Sequence, residues 1–311
     1  MIYDLIIVGL GPAGLTASIY ASRYELKHAL IGSLKGGTAS ESHLVENYPG
    51  FESISGQELM EKFFNQTQKY HPEFLYVKAD QISKNKNLFE IKTNEGKIIK
   101  TKTIILALGV QHRILSVPGE KDFLGRGVSY CPTCDGPLFK DKIIAVAGGG
   151  DSALTSALYL SKIAKKVYLI YRKKIFRAQA LWQTKVDEEK KIKKILNNQI
   201  KEIKGDSLVN EIILDKPYQN KKSIKINGLF IEIGAIPSKE FNLNPPLKLK
   251  KDSAGYIVVN YRQETNVPGL FAAGDITGPA DKLKQIITAS AEGAISTANA
   301  YRFLTKRTTR I

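Results

Sequence analysis

Cysteine is almost missing from this chain: 311 residues contain two, both within Ser129-Tyr130-Cys131-Pro132-Thr133-Cys134-Asp135-Gly136. The spacing alone leaves a structural clip, half of a metal site and a redox-active pair all open. Histidine is also sparse, with only His28, His43, His71 and His112. All four precede Gly150-Asp151-Ser152-Ala153-Leu154, so this serine-hydrolase look-alike has no neighbouring histidine base. No stretch approaches the roughly eighteen apolar residues of a membrane span. The N-terminus lacks a basic leader followed by an apolar core and a small-residue cleavage site. A cytoplasmic location is therefore expected, where a Cys-x-x-Cys pair is more often catalytic or metal-binding than structural.

Acidic residues are outnumbered, 30 against 46 lysines and arginines, for a formal charge of +16. The lysines are dispersed, with short clusters at Lys190-Lys191 and Lys193-Lys194 expected on an exposed helix. No RNA-recognition signature, zinc finger or basic tail accompanies them, so a solvated surface is expected rather than a nucleic-acid partner. A basic binding protein would rest on that charge alone.

What is present is glycine in particular places. "YDLIIV" (3–8) reads as a buried strand and runs into Gly9-Leu10-Gly11-Pro12-Ala13-Gly14, then a helical pattern of small residues. A strand, a glycine turn and a helix N-terminus aim backbone N–H groups at a pyrophosphate. The next strand, "HALIGS", lacks the ribose-binding carboxylate that often ends it. The arrangement recurs in "KIIAVAGGGDSALTSALYLSKI", with Gly148, Gly150 and Ala153 in the three small-residue positions. About twenty residues on, "KVYLIY" meets Arg172-Lys173-Lys174, with Arg177 close behind; cations there suit the 2′-phosphate of NADP. Length allows two packed cores. Further buried strands are expected at "TIILALGV" (103–110), "GLFIEIGAIPSK" (228–239) and "VPGLFAAGDITG", with a long small-residue helix over "KLKQIITASAEGAISTANAYRFL". "RILSVPGEKDF" and "EFNLNPPLKLKKD" read as linkers.

The order and spacing of these segments, together with "VENYPGF", "VPGEKDFLGRGVSYCPTCDGPLF", "YRKKIFRA" and "TNVPGLFAAGDI", resemble the low-molecular-weight thioredoxin reductases of bacteria and archaea almost end to end. The resemblance implies an α/β chain with two Rossmann-like dinucleotide-binding domains, the second inserted into the first. An FAD domain of about 1–115 and 247–311 would enclose an NADPH domain of about 116–246 that carries the cysteines. It also implies a homodimer, domain rotation during turnover, and linkers crossing near Val117-Pro118 and Pro245-Pro246. Electrons would pass from NADPH through FAD and the Cys131–Cys134 disulfide to a thioredoxin or a thioredoxin/glutaredoxin-like protein. Cys134 would face the flavin, Cys131 would attack the partner, and Asp135 would manage the leaving thiolate's proton. Pro132 fixes one dihedral between the cysteines.

By the same resemblance, Gly9, Gly11, Pro12, Ala13 and Gly14 would meet the FAD pyrophosphate, with Gly36, Gly37, Thr38 and Asn47 lining the pocket. Asp275 would bind the ribityl or phosphate region, and Lys284, Gln285 and Ile286 would cover the flavin. Gly150, Asp151, Ser152 and Ala153, with Arg172, Lys173 and Arg177, would hold NADPH. Three positions depart from the family. Thr38 replaces a glutamine, Lys284 an arginine, and His-Arg-Arg-x-x-x-Arg becomes Tyr171-Arg172-Lys173 with Arg177. Lysine keeps the charge and loses the bidentate fork.

The cysteine question then narrows. Zinc needs about four ligands and two are at hand; no metal is expected. A purely structural bridge over so short a loop would stabilise little. Two dinucleotide turns flanking the pair supply an electron source and acceptor, so "CPTC" is expected to be a redox-active disulfide. A ferredoxin-type donor in place of NADPH, or a flavin-dependent dithiol oxidase, would share the same features.

Overall fold

A computed structural model describes residues 1–33, 36–42, 44–238, 241–244, 247–279 and 282–308. The chain forms two compact units, one of residues 1–111 with 236–311, the other of 112–235.

The first unit begins with β1 (Ile2–Val8), α1 (Pro12–Arg23), β2 (His28–Ile31), α2 (Gly56–Gln68), β3 (Glu73–Leu75), β4 (Ala79–Asn85), β5 (Leu88–Thr93) and β6 (Ile98–Leu106). β1 lies between β2 and β6 and runs parallel to both. Its apolar run is continuous because both faces are covered. Ile6 and Val8 enter one hydrophobic cluster, while Leu5 and Ile7 enter the other. Ser55 caps α2, its hydroxyl accepting the Glu58 N–H at 3.1 Å.

The chain leaves this unit through β7 (Val110–His112) and builds the second from β8 (Val128–Ser129), α3 (Pro132–Asp135), β9 (Ile143–Gly148), α4 (Asp151–Ser161), β10 (Lys166–Tyr171), α5 (Ala180–Glu188), β11 (Ile192–Leu196), β12 (Ile200–Gly205), β13 (Val209–Tyr218), β14 (Lys221–Lys225) and β15 (Gly228–Glu232). Five strands form a parallel sheet in the order β11-β10-β9-β15-β8. The antiparallel meander β12-β13-β14 adds a second layer.

Return is through β16 (Ala235–Pro237), which pairs with β7; β17 (Asn242–Leu243), β18 (Leu270–Ala272) and α6 (Ile286–Thr308) then complete the first unit. β18 pairs with β6, giving an eight-stranded mixed sheet. α6 packs on α1 through small residues. A Cβ on Gly293 would fall 2.2 Å from the Ala13 carbonyl oxygen, and the Thr297 hydroxyl donates to Ala17 O at 3.1 Å.

Three expectations are changed. Lys193 and Lys194 lie on β11 rather than on a helix. Ile192 and Ile195 carry helical i, i+3 spacing, yet they enter different clusters, as an odd separation on a strand requires. Val117-Pro118 falls inside the second unit, since the chain divides after 111 and 235; Pro245-Pro246 lies outside the described residues. The segment from Arg113 to Phe123 is no free linker: Glu120 within it is buried.

Candidate functional site

In the first unit the glycines of 9–14 divide three tasks. Gly9, at φ +126°, lies so close to β6 that a Cβ would stand 2.1 Å from Ala107 O. Gly14 presses on the turn itself, its Cβ position 2.0 Å from Gly9 O. Gly11 differs: the nearest atom to its Cβ position is Gly36 O at 3.8 Å, so the space above it is open. Pro12 is the first residue of α1, where its missing N–H costs nothing.

Other expected residues gather on this turn. Gly36 N–H donates to Leu10 O at 2.9 Å, and the Cβ position of Gly37 lies 3.4 Å from Gly11 Cα. That of Gly274 lies 3.0 Å from the Ala13 side chain, which brings Asp275 to the same end of α1. Burial raises the Asp275 pKa, with Lys282 and Lys284 opposing and Glu292 adding to the shift. Asn47 Nδ2 donates to Gln285 Oε1 at 3.0 Å across 238 residues of sequence. Ile286 packs on the cluster around Val45 and Met60. Lys284 Nζ stands 4.1 Å from the Tyr256 ring centroid. Thr38 is exposed in a 3-10 turn over 37–41 and is the least engaged of the set.

Sequence reasoning missed Lys282 and Glu292. The Lys282 ammonium lies 2.8 Å from both Glu292 carboxylate oxygens and donates to Gly274 O at 3.0 Å. Gly274 N–H donates to Glu292 Oε2 at 2.7 Å. The pair thereby fixes the turn that presents Asp275. Its only sequence signal was a lysine and a glutamate ten residues apart, too general to single out.

The second unit repeats the division of labour. Gly148, at φ +150°, has a Cβ position 2.1 Å from Glu232 O; Ala153, in the third small position, is fully buried; nothing lies within 4 Å of the Gly150 Cβ position. Ser152 is exposed in the first turn of α4. Arg172, Lys173 and Arg177 are exposed beyond the end of β10. Arg177 N–H donates to Gly149 O at 2.7 Å, so the cationic segment folds back onto the glycine turn. The Asp151 carboxylate accepts from Gln179 N–H at 2.7 Å and Gln179 Nε2 at 3.1 Å.

Cys131 and Cys134 form a disulfide with Cα atoms 5.3 Å apart. Pro132 opens the single turn α3, and Cys134 N–H points at Cys131 Sγ at 3.2 Å. Gly136 seats this turn on α4, its Cβ position 2.9 Å from the Leu160 side chain. Cys131 is partly buried, Cys134 is exposed, and Asp135 follows with its N–H on Cys131 O. Just before the pair, Tyr130 donates its hydroxyl to Glu120 Oε1 at 2.6 Å. Burial first, then that carboxylate, hold the phenol pKa well above its usual range. Glu120 also accepts from Leu115 and Ser116 N–H at 2.8 and 2.7 Å.

A sheet-and-helix turn open at its second glycine occurs twice, and a bridged Cys-x-x-Cys accompanies the second. The sequence matches the pyridine nucleotide-disulphide oxidoreductase family over residues 3–293. The chain belongs to this family. The thioredoxin reductase of Bacillus subtilis is 39% identical over 308 residues, which cover 97% of this chain and 95% of that protein. The structure resembles that of Lactococcus lactis thioredoxin reductase with a TM-score of 0.91 and 36% identity, covering 98% of this chain and 99% of that one. The T. acidophilum thioredoxin reductase structure gives 0.89 and 35%, covering 97% and 98%.

Membership of this oxidoreductase family implies a flavin and a pyridine nucleotide, and the residues fit such groups. At each turn the first and third small residues pack against protein, whereas beside the helix N-terminus a Cβ at Gly11 would meet only Gly36 O at 3.8 Å and one at Gly150 nothing within 4 Å. That is the cradle a pyrophosphate needs. Among the described residues no helix is long and apolar enough to cross a membrane, and no cluster of three His, Cys, Asp or Glu could hold a metal.

Proposed function

We propose that this chain is a thioredoxin-disulfide reductase that draws on NADPH, carries FAD in its first unit and works through the Cys131–Cys134 disulfide. Bound FAD would supply two-electron chemistry between nicotinamide and disulfide. Gly9, Gly11, Pro12, Ala13 and Gly14 would hold its pyrophosphate; Gly36, Gly37, Thr38, Asn47, Asp275, Lys284, Gln285 and Ile286 would surround the rest. The turn and first residues of α4, Gly150, Asp151, Ser152 and Ala153, would receive the NADPH pyrophosphate through backbone N–H groups, with Arg172, Lys173 and Arg177 toward the 2′-phosphate. A homodimer belongs to the same reading.

The observation that carries it is the accessible disulfide whose Cys131 sulfur faces the Cys134 N–H. Once the bond is reduced, that N–H favours the thiolate at Cys131 over the thiol. Cys131 would attack one sulfur of the partner's disulfide, expelling the partner's other sulfur as a thiolate that takes up a proton. Cys134 would then attack Cys131 Sγ, releasing the second partner thiol and restoring the intramolecular bond. Asp135, one residue on, would relay the proton.

The test is an anaerobic titration of the purified protein with NADPH and NADH, read at the flavin absorbance. Bleaching by NADPH with about two equivalents taken up is expected, one pair of electrons for the flavin and one for the disulfide. Cys134→Ser should lower the uptake to about one equivalent and abolish thioredoxin reduction. A flavin that neither nicotinamide bleaches would overturn the NADPH assignment in favour of a ferredoxin-type donor. Oxygen consumption driven by a dithiol would move the function to an oxidase.

A further inference from the structure

Asp151 stands where a second anion, a nucleotide phosphate, would have to come close. It is the first residue of α4, at the positive helix end that a nucleotide phosphate would use. A carboxylate free to face that phosphate would repel it. Here both oxygens are turned to Gln179, one to its backbone N–H at 2.7 Å and one to its side-chain amide at 3.1 Å. Gln179 ends the segment that begins at Arg172 and carries Lys173, Lys174 and Arg177, all four cations exposed. Further contacts hold this segment: Asn197 N–H donates to Lys173 O at 3.2 Å and Gln183 Nε2 to Ala178 O at 2.7 Å. Arg177 N–H donates to Gly149 O at 2.7 Å. Phe176, buried, stacks on Tyr171 at 5.7 Å between centroids, and that Tyr171 ring lies 2.5 Å from where a Gly149 Cβ would stand. The segment is thus held near its start by Asn197, in its middle by Gly149 and Phe176, and at its far end by Gln183 and Trp182, whose N–H groups donate to Gln179 O, together with Asp151, which accepts from both the backbone N–H and the side-chain amide of Gln179.

We infer that Asp151 is a positioning residue: acting through Gln179, it latches the 172–179 segment over the glycine turn and so sets the cations that select a 2′-phosphorylated nicotinamide dinucleotide. The inference rests on the NADPH reading above. The segment is the eight residues between the end of β10 and the start of α5, and exposed lysines and arginines have many rotamers to lose on binding. Fixing their backbone beforehand lowers that cost for the one ligand that needs them. NADH has no 2′-phosphate, so it gains nothing from the latch.

A simpler role for Asp151 is favourable interaction with the α4 dipole. That role acts on the helix, and so on both nucleotides alike, whereas the latch acts on their difference. Steady-state kinetics with NADPH and with NADH therefore separate them. In the holoenzyme, Asp151→Ala should lower kcat/KM for NADPH relative to NADH by about five- to tenfold, the scale of one charge-assisted hydrogen bond to phosphate partly lost. The change should fall on KM. Gln179→Ala, which keeps the backbone N–H and loses only the amide, should show a smaller loss of the same kind. Trypsin gives a second readout without nucleotide: cleavage after Lys173, Lys174 or Arg177 should accelerate in both variants.

Equal losses with NADPH and NADH in both variants would overturn the latch in favour of the dipole, as would an unchanged preference with unchanged cleavage. A wild-type enzyme without any preference for NADPH would overturn the 2′-phosphate reading, and the latch with it. The two failures are distinguishable because the first leaves the wild-type preference intact.

Discussion

Glu120 stands in a segment whose valine, proline, glycine and lysine content suggests a solvated connection, yet its side chain is 3% exposed and receives three hydrogen bonds. They come from Leu115, Ser116 and Tyr130, so the carboxylate joins the start of the second unit to the residue before Cys131. Truncation to alanine would leave three donors without an acceptor in a partly buried place. Glu120→Ala should cost about 2–4 kcal/mol, measured by denaturant unfolding. His28 offers a pH test. Its Nδ1–H donates to Leu26 O at 2.9 Å, so Nε2 must accept from the Ser18 hydroxyl at 2.8 Å. Burial lowers its pKa below the ordinary 6.5, the Leu26 carbonyl opposing. The unfolded chain then binds the proton more readily, so this group's contribution is full above about pH 6.5 and declines as pH falls toward the folded value. Wild type minus His28→Gln should show that decline in unfolding free energy between about pH 7 and pH 5. A difference that rises on acidification would contradict it.

Among the elements, the two strand–turn–helix units were legible because their glycines answer to backbone geometry. Gly148 requires both its positive φ and the absence of a Cβ; Gly150 requires neither for the fold. The contrast predicts that Gly148→Ala unfolds earlier by about 1–3 kcal/mol. Gly150→Ala should change stability by less than about 0.5 kcal/mol and still weaken nucleotide binding, as isothermal titration would register. Elements whose signal depended on periodicity fared differently. Ile192 and Ile195 fit a helix stripe, and only their placement on opposite faces of a parallel sheet reveals a strand. α2 carries a legible start in Ser55, whose side chain accepts the Glu58 N–H. The site's long-range join of Asn47 with Gln285 had no local signature, since it depends on how segments 238 residues apart converge, and Lys282 with Glu292, ten residues apart, carried a spacing too general to single out.

For the molecule as a whole, the net charge of +16 is large for its size. Electrostatic attraction to an acidic partner would act mainly on the rate of encounter and would be screened over about 10 Å at 0.1 M salt. The kcat/KM for reducing a thioredoxin should therefore fall several-fold from about 0.05 to 0.5 M salt. The kcat should change little, and NADPH oxidation with a small uncharged disulfide should be less affected.

The first unit is assembled from both halves of the sequence, with Gly293 of α6 seated on Ala13 of α1. Synthesis on the ribosome proceeds from the other direction. While 112–235 emerges, every segment its own core needs is already available. The α1 face that later receives α6 must wait, apolar and uncovered, until some 280 residues have followed it. The inserted unit should consequently become protease-resistant first on arrested nascent chains, and the unit that encloses it last. Mutations that loosen the α1–α6 seam, such as Gly293→Leu, should then lower the yield of soluble protein more than they lower the stability of the molecules that do fold.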